Sequence, residues 1–199
     1  ELKAAADEIK ERTEGRVKLR FYPGGVMGDT ATVLRKMQVG QLSGTVTTLG
    51  ELAFLVSDSQ IYNLPFLFRS EDEFDGVREI LDPRLTEALA AKNLMLAGTI
   101  NAGFVYLFSL HPANTADALA KEGRVWVPQG DLISQKTLEE AGISAIPLPI
   151  SEVYTSLQTG LVDTVITTPA AGIALQWHSR VRYMIDMPLA IGAGGMVYD

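Results

Sequence analysis

The spacing of apolar residues changes along the first quarter of the chain. Apolar residues recur every three or four positions over residues 2–12, alternate over residues 16–22, and return to the helical spacing over residues 30–39. A period near 3.6 residues is typical of an amphipathic helix, and a period of 2 is typical of a half-buried strand. The pattern therefore predicts a helix, a strand and a second helix, with another strand over residues 43–49.

The remaining chain continues the alternation of helix and strand. Helices are predicted over residues 71–81, 83–92, 116–121, 131–142, 151–160 and 171–180, and strands over residues 93–107, 124–127, 143–149, 161–167 and 182–197. Alternating elements favour an α/β fold with mostly parallel sheets. The apolar stretches 93–107 and 182–197 are long enough to cross between two lobes.

Residues 151–169 combine a predicted helix with a strand whose end is polar. Ser151 is a candidate N-cap, Glu152 follows at the positive end of the helix dipole, and Gly160 suits the left-handed position after the helix. The strand that follows ends in threonines at 167 and 168. Because ligands of open α/β sheets bind at the carboxyl ends of the strands, a ligand is expected near this end.

Composition and charge exclude several classes of protein. The 199 residues are 47% hydrophobic and carry a net charge of −7, which does not indicate a nucleic-acid-binding protein. The sequence has no cysteine, which excludes disulfides and thiolate metal sites. It also has no run of roughly 18 apolar residues that would cross a membrane. Because the chain begins inside a predicted helix, we expect a strand to precede it.

The candidate catalytic motifs are incomplete. The glycine-rich residues 24–28 lie between a strand and a helix, but they match neither the dinucleotide fingerprint nor the P-loop. His111 and His178 have no metal-ligand partner at helical spacing. Asp163 is a lone carboxylate, and such a group more often bonds nearby backbone N–H groups than acts as a general base. We therefore predict a binding protein without enzymatic activity, metal or cofactor.

Four segments resemble one protein family. They are residues 22–28 (Tyr-Pro-Gly-Gly-Val-Met-Gly), 64–69 (Leu-Pro-Phe-Leu-Phe-Arg), 125–129 (Val-Trp-Val-Pro-Gln) and 151–163 (Ser-Glu-Val-Tyr-Thr-Ser-Leu-Gln-Thr-Gly-Leu-Val-Asp). In type, order and spacing they resemble the solute-binding proteins of tripartite ATP-independent periplasmic (TRAP) transporters. The resemblance covers nearly the whole chain, which corresponds to about two thirds of a family member and is incomplete at both ends.

This resemblance implies a periplasmic receptor whose two α/β lobes close over a small organic solute, usually an organic acid. The receptor then delivers the solute to the membrane subunits of the transporter. We expect a monomer in which residues 1–103 and 186–199 form lobe I, residues 104–185 form lobe II, and the ligand cleft lies between them. A ligand-sensing or signalling module with the same fold is the alternative function.

The resemblance also implies a set of ligand-binding residues, several of which depart from the family pattern. Relatives commonly clamp a ligand carboxylate with arginines where this chain has Trp126 and Val105, and they often place an asparagine where it has Thr167. The full predicted set is Thr48, Val105, Trp126, Gln129, Ile150 and Thr167.

Two interpretations of these departures remain open. In the first, the ligand is less charged or more aromatic than usual, and Trp126 stacks on it. In the second, Trp126 only packs in the core, and another arginine such as Arg180 or Arg182 supplies the clamp.

Overall fold

A computed structural model of the protein describes residues 2–112 and 116–199. The α-helices in these residues are α1 Leu2–Arg12, α2 Thr30–Gln38, α3 Glu71–Ala90, α4 Ala116–Glu122, α5 Leu132–Glu140, α6 Val153–Thr159 and α7 Pro169–Ala174. The strands are β1 Gly44–Thr48, β2 Met95–Ser109, β3 Arg124–Pro128, β4 Ser144–Leu148, β5 Thr164–Thr167 and β6 Tyr183–Tyr198. Short 3₁₀ helices span Gly50–Phe54, Ser57–Asn63, Ile150–Glu152 and Trp177–Ser179.

The described strands form one six-stranded sheet in the order β1-β6-β2-β5-β3-β4. Strand β3 pairs in parallel with β4 and β5, whereas β6 pairs antiparallel with β1 and β2, and β2 pairs antiparallel with β5. The α/β class is confirmed, but the sheet is mixed rather than mostly parallel. The cause is the long pair β2 and β6, which run side by side in opposite directions from Met95↔Tyr198 to Ser109↔Tyr183.

The buried apolar side chains form three clusters. The first joins α2, α3 and the 3₁₀ helices after β1 to the C-terminal half of β6, with Phe74, Leu34 and Ile191 among its members. The second lies around β3 and α5, and the third packs around Trp126 and Trp177. The predicted lobe boundaries stay a prediction.

The segment 71–92 forms one helix where two were predicted. Helix α3 runs through Pro83 and is capped by the Ser70 hydroxyl, which accepts a hydrogen bond from the N–H of Glu73 at 3.1 Å. A proline inside a helix removes one hydrogen bond. Phe74, Leu85 and Leu89, on both sides of Pro83, are buried in the first cluster, and this packing offsets the loss.

The strand predicted over residues 16–22 is absent. The segment pairs with no strand in the described part of the chain, and its side chains Val17 and Phe21 are 43% and 39% exposed. An alternating pattern predicts the face that a strand would bury, but a strand also needs a hydrogen-bonded neighbour.

The N-cap predicted at Ser151 is also wrong. The chain turns one residue earlier, in the 3₁₀ helix Ile150–Glu152, and α6 then begins without a side-chain cap. The N–H of Glu152 donates to the carbonyl of Pro149 at 3.0 Å, so Ser151 lies inside the turn. The left-handed residue after α6 is confirmed, since Gly160 has φ 73°.

Candidate functional site

One cavity of about 1560 Å³ collects all six residues that the sequence predicted for the ligand site. They come from four strands or strand ends and one 3₁₀ helix, and they lie up to 119 positions apart in the sequence. The lining residues in question are Thr48, Val105, Trp126, Gln129, Ile150 and Thr167. Contact of these side chains with a solute stays a prediction.

The floor of the cavity is the central part of the sheet. Val105 lies opposite Ala190 in the antiparallel pair of β2 and β6, and Thr167 lies opposite Tyr106 at the end of β5. Both Val105 and Thr167 are half-buried. The carboxyl end of β5 therefore opens toward the cavity, as expected for an α/β sheet.

The rim is formed by exposed side chains from both halves of the chain. Thr48, Gln129 and Ile150 are exposed, the first at the end of β1 and the others just after β3 and β4. Gly25, with φ 72°, lies close to Ser151, where an added Cβ would reach the serine side chain at 3.5 Å. The glycine-rich residues 24–28 therefore meet the turn at 150–152 beside the cavity, which accounts for these glycines without a bound phosphate.

Trp126 belongs mainly to the core behind the cavity. It is 3% exposed, and its ring lies edge-to-face against Trp177 with the centroids 5.1 Å apart. The indole Nε1–H donates to the carbonyl of Leu148 at 2.9 Å. Because the side chain is almost wholly buried, this arrangement favours the packing interpretation over solute stacking.

The arginine clamp of the second interpretation is not formed, since neither Arg180 nor Arg182 lines the cavity. Arg180 instead donates to the hydroxyl of Tyr154 at 3.2 Å and lies over that ring. Hydrogen bonds from Ser179 and Arg180 lower the pKa of Tyr154.

Glu51 is the most elaborately bonded polar group of the cavity wall. Its carboxylate accepts hydrogen bonds from the hydroxyls of Thr30 at 3.0 Å, Thr47 at 2.7 Å and Thr48 at 3.0 Å. It also accepts from the backbone N–H of Thr48 at 3.2 Å, while the Thr48 hydroxyl accepts from the N–H of Glu51 at 3.4 Å. This reciprocal pair is a capping box, and it holds the carboxylate at the carboxyl end of β1.

The sequence prediction included Thr48 but missed Glu51 and Asn63, which also line the cavity. The Thr48-x-x-Glu51 spacing of a capping box was the available signal for Glu51. Asn63 packs over Gly50, where a Cβ would overlap its side-chain amide. No local pattern marks that contact, because it depends on the path of the chain between the two 3₁₀ helices.

A family model described as bacterial extracellular solute-binding protein, family 7, matches residues 1–188. The chain belongs to this family. Its resemblance to TRAP solute-binding proteins is thereby confirmed.

The chain is 33% identical over 165 residues to a solute-binding protein of Chromohalobacter salexigens. The match covers 81% of this chain and 48% of that protein. The first three curated relatives are matched over 48%, 56% and 50% of their length. The chain therefore spans about half the length of the curated relatives it matches.

Two solved structures show the fold of the longer family members. A TRAP solute-binding protein from C. salexigens with bound D-glucuronate is 27% identical, with a TM-score of 0.85, and covers 99% of this chain and 65% of its own. A Bordetella pertussis receptor that binds pyroglutamic acid is 20% identical, with a TM-score of 0.89, over 99% of this chain and 64% of that one. The two-lobed architecture expected for this chain is consistent with these two structures.

Three candidate residues remain from the sequence, namely Asp163 and the two histidines. Asp163 accepts from the backbone N–H of Arg124 at 3.0 Å, the Nε of Arg124 at 3.1 Å and the hydroxyl of Thr164 at 2.9 Å. His111 and His178 are exposed. Within residues 2–112 and 116–199, no cluster of three potential metal ligands is found. No helix in this part of the chain is both long and apolar enough to span a membrane.

Proposed function

We propose that the protein captures a small organic solute in the periplasm and delivers it to the membrane subunits of a TRAP transporter. The single observation that carries this proposal is the cavity at the strand ends, in a chain that belongs to a family of extracellular solute-binding proteins. Relatives with bound D-glucuronate and pyroglutamic acid support a small organic ligand. We further propose that capture involves no chemical change of the solute.

The volume of the cavity leaves room for closure over a solute. Ligand sites typically enclose about 300–1,000 Å³, and this cavity is larger. Closure of the two walls would reduce that volume and remove the solute from water. A solute that contacts both walls favours the closed state, since only differential affinity can shift such an equilibrium.

The grouping of the buried side chains supports a hinge between the proposed lobes, residues 1–103 with 186–199 and residues 104–185. The first cluster draws its buried members from residues 33–94 and 191–197, whereas the other two draw theirs from residues 107–177. Strands β2 and β6 connect the two groups. A small bend in these two strands would move one group relative to the other without unpacking a core.

Solute capture is tested by thermal unfolding in the presence of a panel of small metabolites. A ligand at 100 times its dissociation constant stabilises the folded protein by about 2.7 kcal/mol, which gives a measurable rise in the melting temperature. Val105→Trp should abolish the rise, because the indole would occupy the floor of the cavity.

Val39→Trp is the matched control, since Val39 is exposed and does not line the cavity. It should retain the rise in melting temperature with the same solute. Equal responses of the two variants would contradict the cavity as the capture site. Sedimentation of the purified protein tests the proposed monomer in the same preparations.

A further inference from the structure

The charges of the cavity wall have one sign. Within the described residues, five carboxylates line the cavity, and no lysine, arginine or histidine does so. The carboxylates belong to Asp29, Glu51, Asp131, Glu152 and Asp186. A solute that carries only carboxylates would enter this wall without a partner cation, at a cost in desolvation and repulsion.

The four carboxylates other than Glu51 either cap a helix or are exposed to water. Asp29 and Asp131 cap α2 and α5 by accepting from the N–H groups of Thr32 at 2.7 Å and Ser134 at 3.1 Å, at the positive ends of these helices. The cap hydrogen bonds from the side chain and backbone of Thr32 lower the pKa of Asp29. Glu152 and Asp186 are exposed, so water screens their charge.

Glu51 is half-buried, and among these five carboxylates it accepts the most hydrogen bonds within the described residues, all from neutral donors. Three threonine hydroxyls and one backbone N–H fix the direction of its carboxylate, but none of them supplies a compensating positive charge. Within the described residues, the Oε1 atom accepts from the hydroxyl of Thr30 alone, so it retains a lone pair for another donor. The arrangement presents a pre-oriented negative charge to the cavity.

Asn63 provides a second polar group in the cavity wall. Its amide packs over Gly50, the residue before Glu51, and lines the cavity. Within the described residues the Asn63 side chain makes no hydrogen bond. Its side-chain amide is therefore available to a solute in the same cavity.

We propose that the cavity takes a solute that carries a protonated amine, with the ammonium group bonded to the Glu51 carboxylate. An ammonium donor and a carboxylate form a charge-assisted hydrogen bond, and this bond is stronger in a partly buried site than in water. The inference rests on the proposed function, since it names the class of solute that the same cavity takes.

The test compares probes that share a skeleton and differ in charge. The first trio is D-glucosamine, D-glucose and D-glucuronate, and the second is 1,4-diaminobutane, 1,4-butanediol and succinate. The affinity of each probe is measured by calorimetric titration of the purified protein. In whichever trio binds, the amine should have the highest affinity and the acid the lowest. Glu51→Gln should weaken the amine at least about tenfold and change the neutral member little.

Glu87→Gln is the matched control, because it removes the same charge from an exposed position on α3 outside the cavity. It should leave the amine affinity unchanged. An acid that binds tightest to the wild-type protein, and tighter still to Glu51→Gln, would overturn the amine inference and leave solute capture standing. Absence of binding by all six probes at millimolar concentration would count against both.

Discussion

Glu51 and Asp163 are two carboxylates at strand ends, and they differ in whether a cationic side chain balances the negative charge. Asp163 precedes β5 and is 3% exposed, with the guanidinium of Arg124 as a partner. Glu51 follows β1 and lines the cavity, and in the part of the chain that the structure describes its donors are all neutral. The first charge is balanced within the protein, whereas the second is held in position and left for another molecule to balance.

The difference follows the direction of the strands. Ligands of α/β sheets bind beyond the carboxyl ends of the strands, where Glu51 lies, whereas Asp163 lies at an amino end. At the amino end, a carboxylate can be enclosed by side chains and backbone N–H groups that stabilise the fold. Substitutions in the two regions should therefore separate stability from binding.

Trp126→Ala should produce the largest loss of stability, because Trp126 is buried in β3 and packs on Trp177. Removing a buried tryptophan side chain costs about 3–5 kcal/mol. Urea unfolding followed by circular dichroism measures this loss. A change below about 1 kcal/mol, accompanied by loss of solute binding, would show that the indole serves the ligand and not the core.

Asp163→Ala should cost about 3 kcal/mol, because the substitution removes an acceptor of the partly buried backbone N–H of Arg124 and of the buried hydroxyl of Thr164. The half-exposed guanidinium of Arg124 can turn to water, which limits the loss. The same urea titration measures the change. Solute affinity at low temperature should equal that of the wild type, and a selective loss of affinity would remove the contrast with Glu51.

Asp29→Ala should cost about 1 kcal/mol at neutral pH, the usual effect of losing an N-cap. Because the pKa of Asp29 is lowered in the folded protein, its contribution is complete above the ordinary aspartate pKa and is lost as pH falls through the lowered folded value. Unfolding titrations of wild type and variant should therefore converge in strong acid. A difference that is independent of pH would contradict the capping role.

Glu51→Gln should have the smallest effect on stability, within about 0.5 kcal/mol, since glutamine can still accept the N–H of Thr48. Its effect on binding of an amine solute should nevertheless be at least about tenfold. Paired unfolding and calorimetric titrations measure both quantities on one preparation. A stability loss as large as that of Asp163→Ala would mean that both carboxylates serve the scaffold.

Features that depend on local chain chemistry were predictable from the sequence. The left-handed Gly160 and the long strands β2 and β6 are marked by residue type and spacing alone. The residues gathered in the cavity followed from the family resemblance, since no periodicity relates Thr48 to Thr167.

Features that depend on distant partners were not predictable in this way. The antiparallel pairing of β2 and β6 and the missing strand at residues 16–22 depend on which strands lie side by side. The bonding of Glu51 depends on Thr30 and Thr47, which reach it from two other elements. A pattern can mark the face that an element buries, but it does not identify what lies against that face.

Native mass spectrometry of the protein purified without denaturation identifies the solute that the cavity takes. We expect a bound solute at one copy per chain, identified by fragmentation as an amine, and its loss from the Glu51→Gln variant but not from Glu87→Gln. A co-purified carboxylic acid without an amine, retained by Glu51→Gln, would contradict the account.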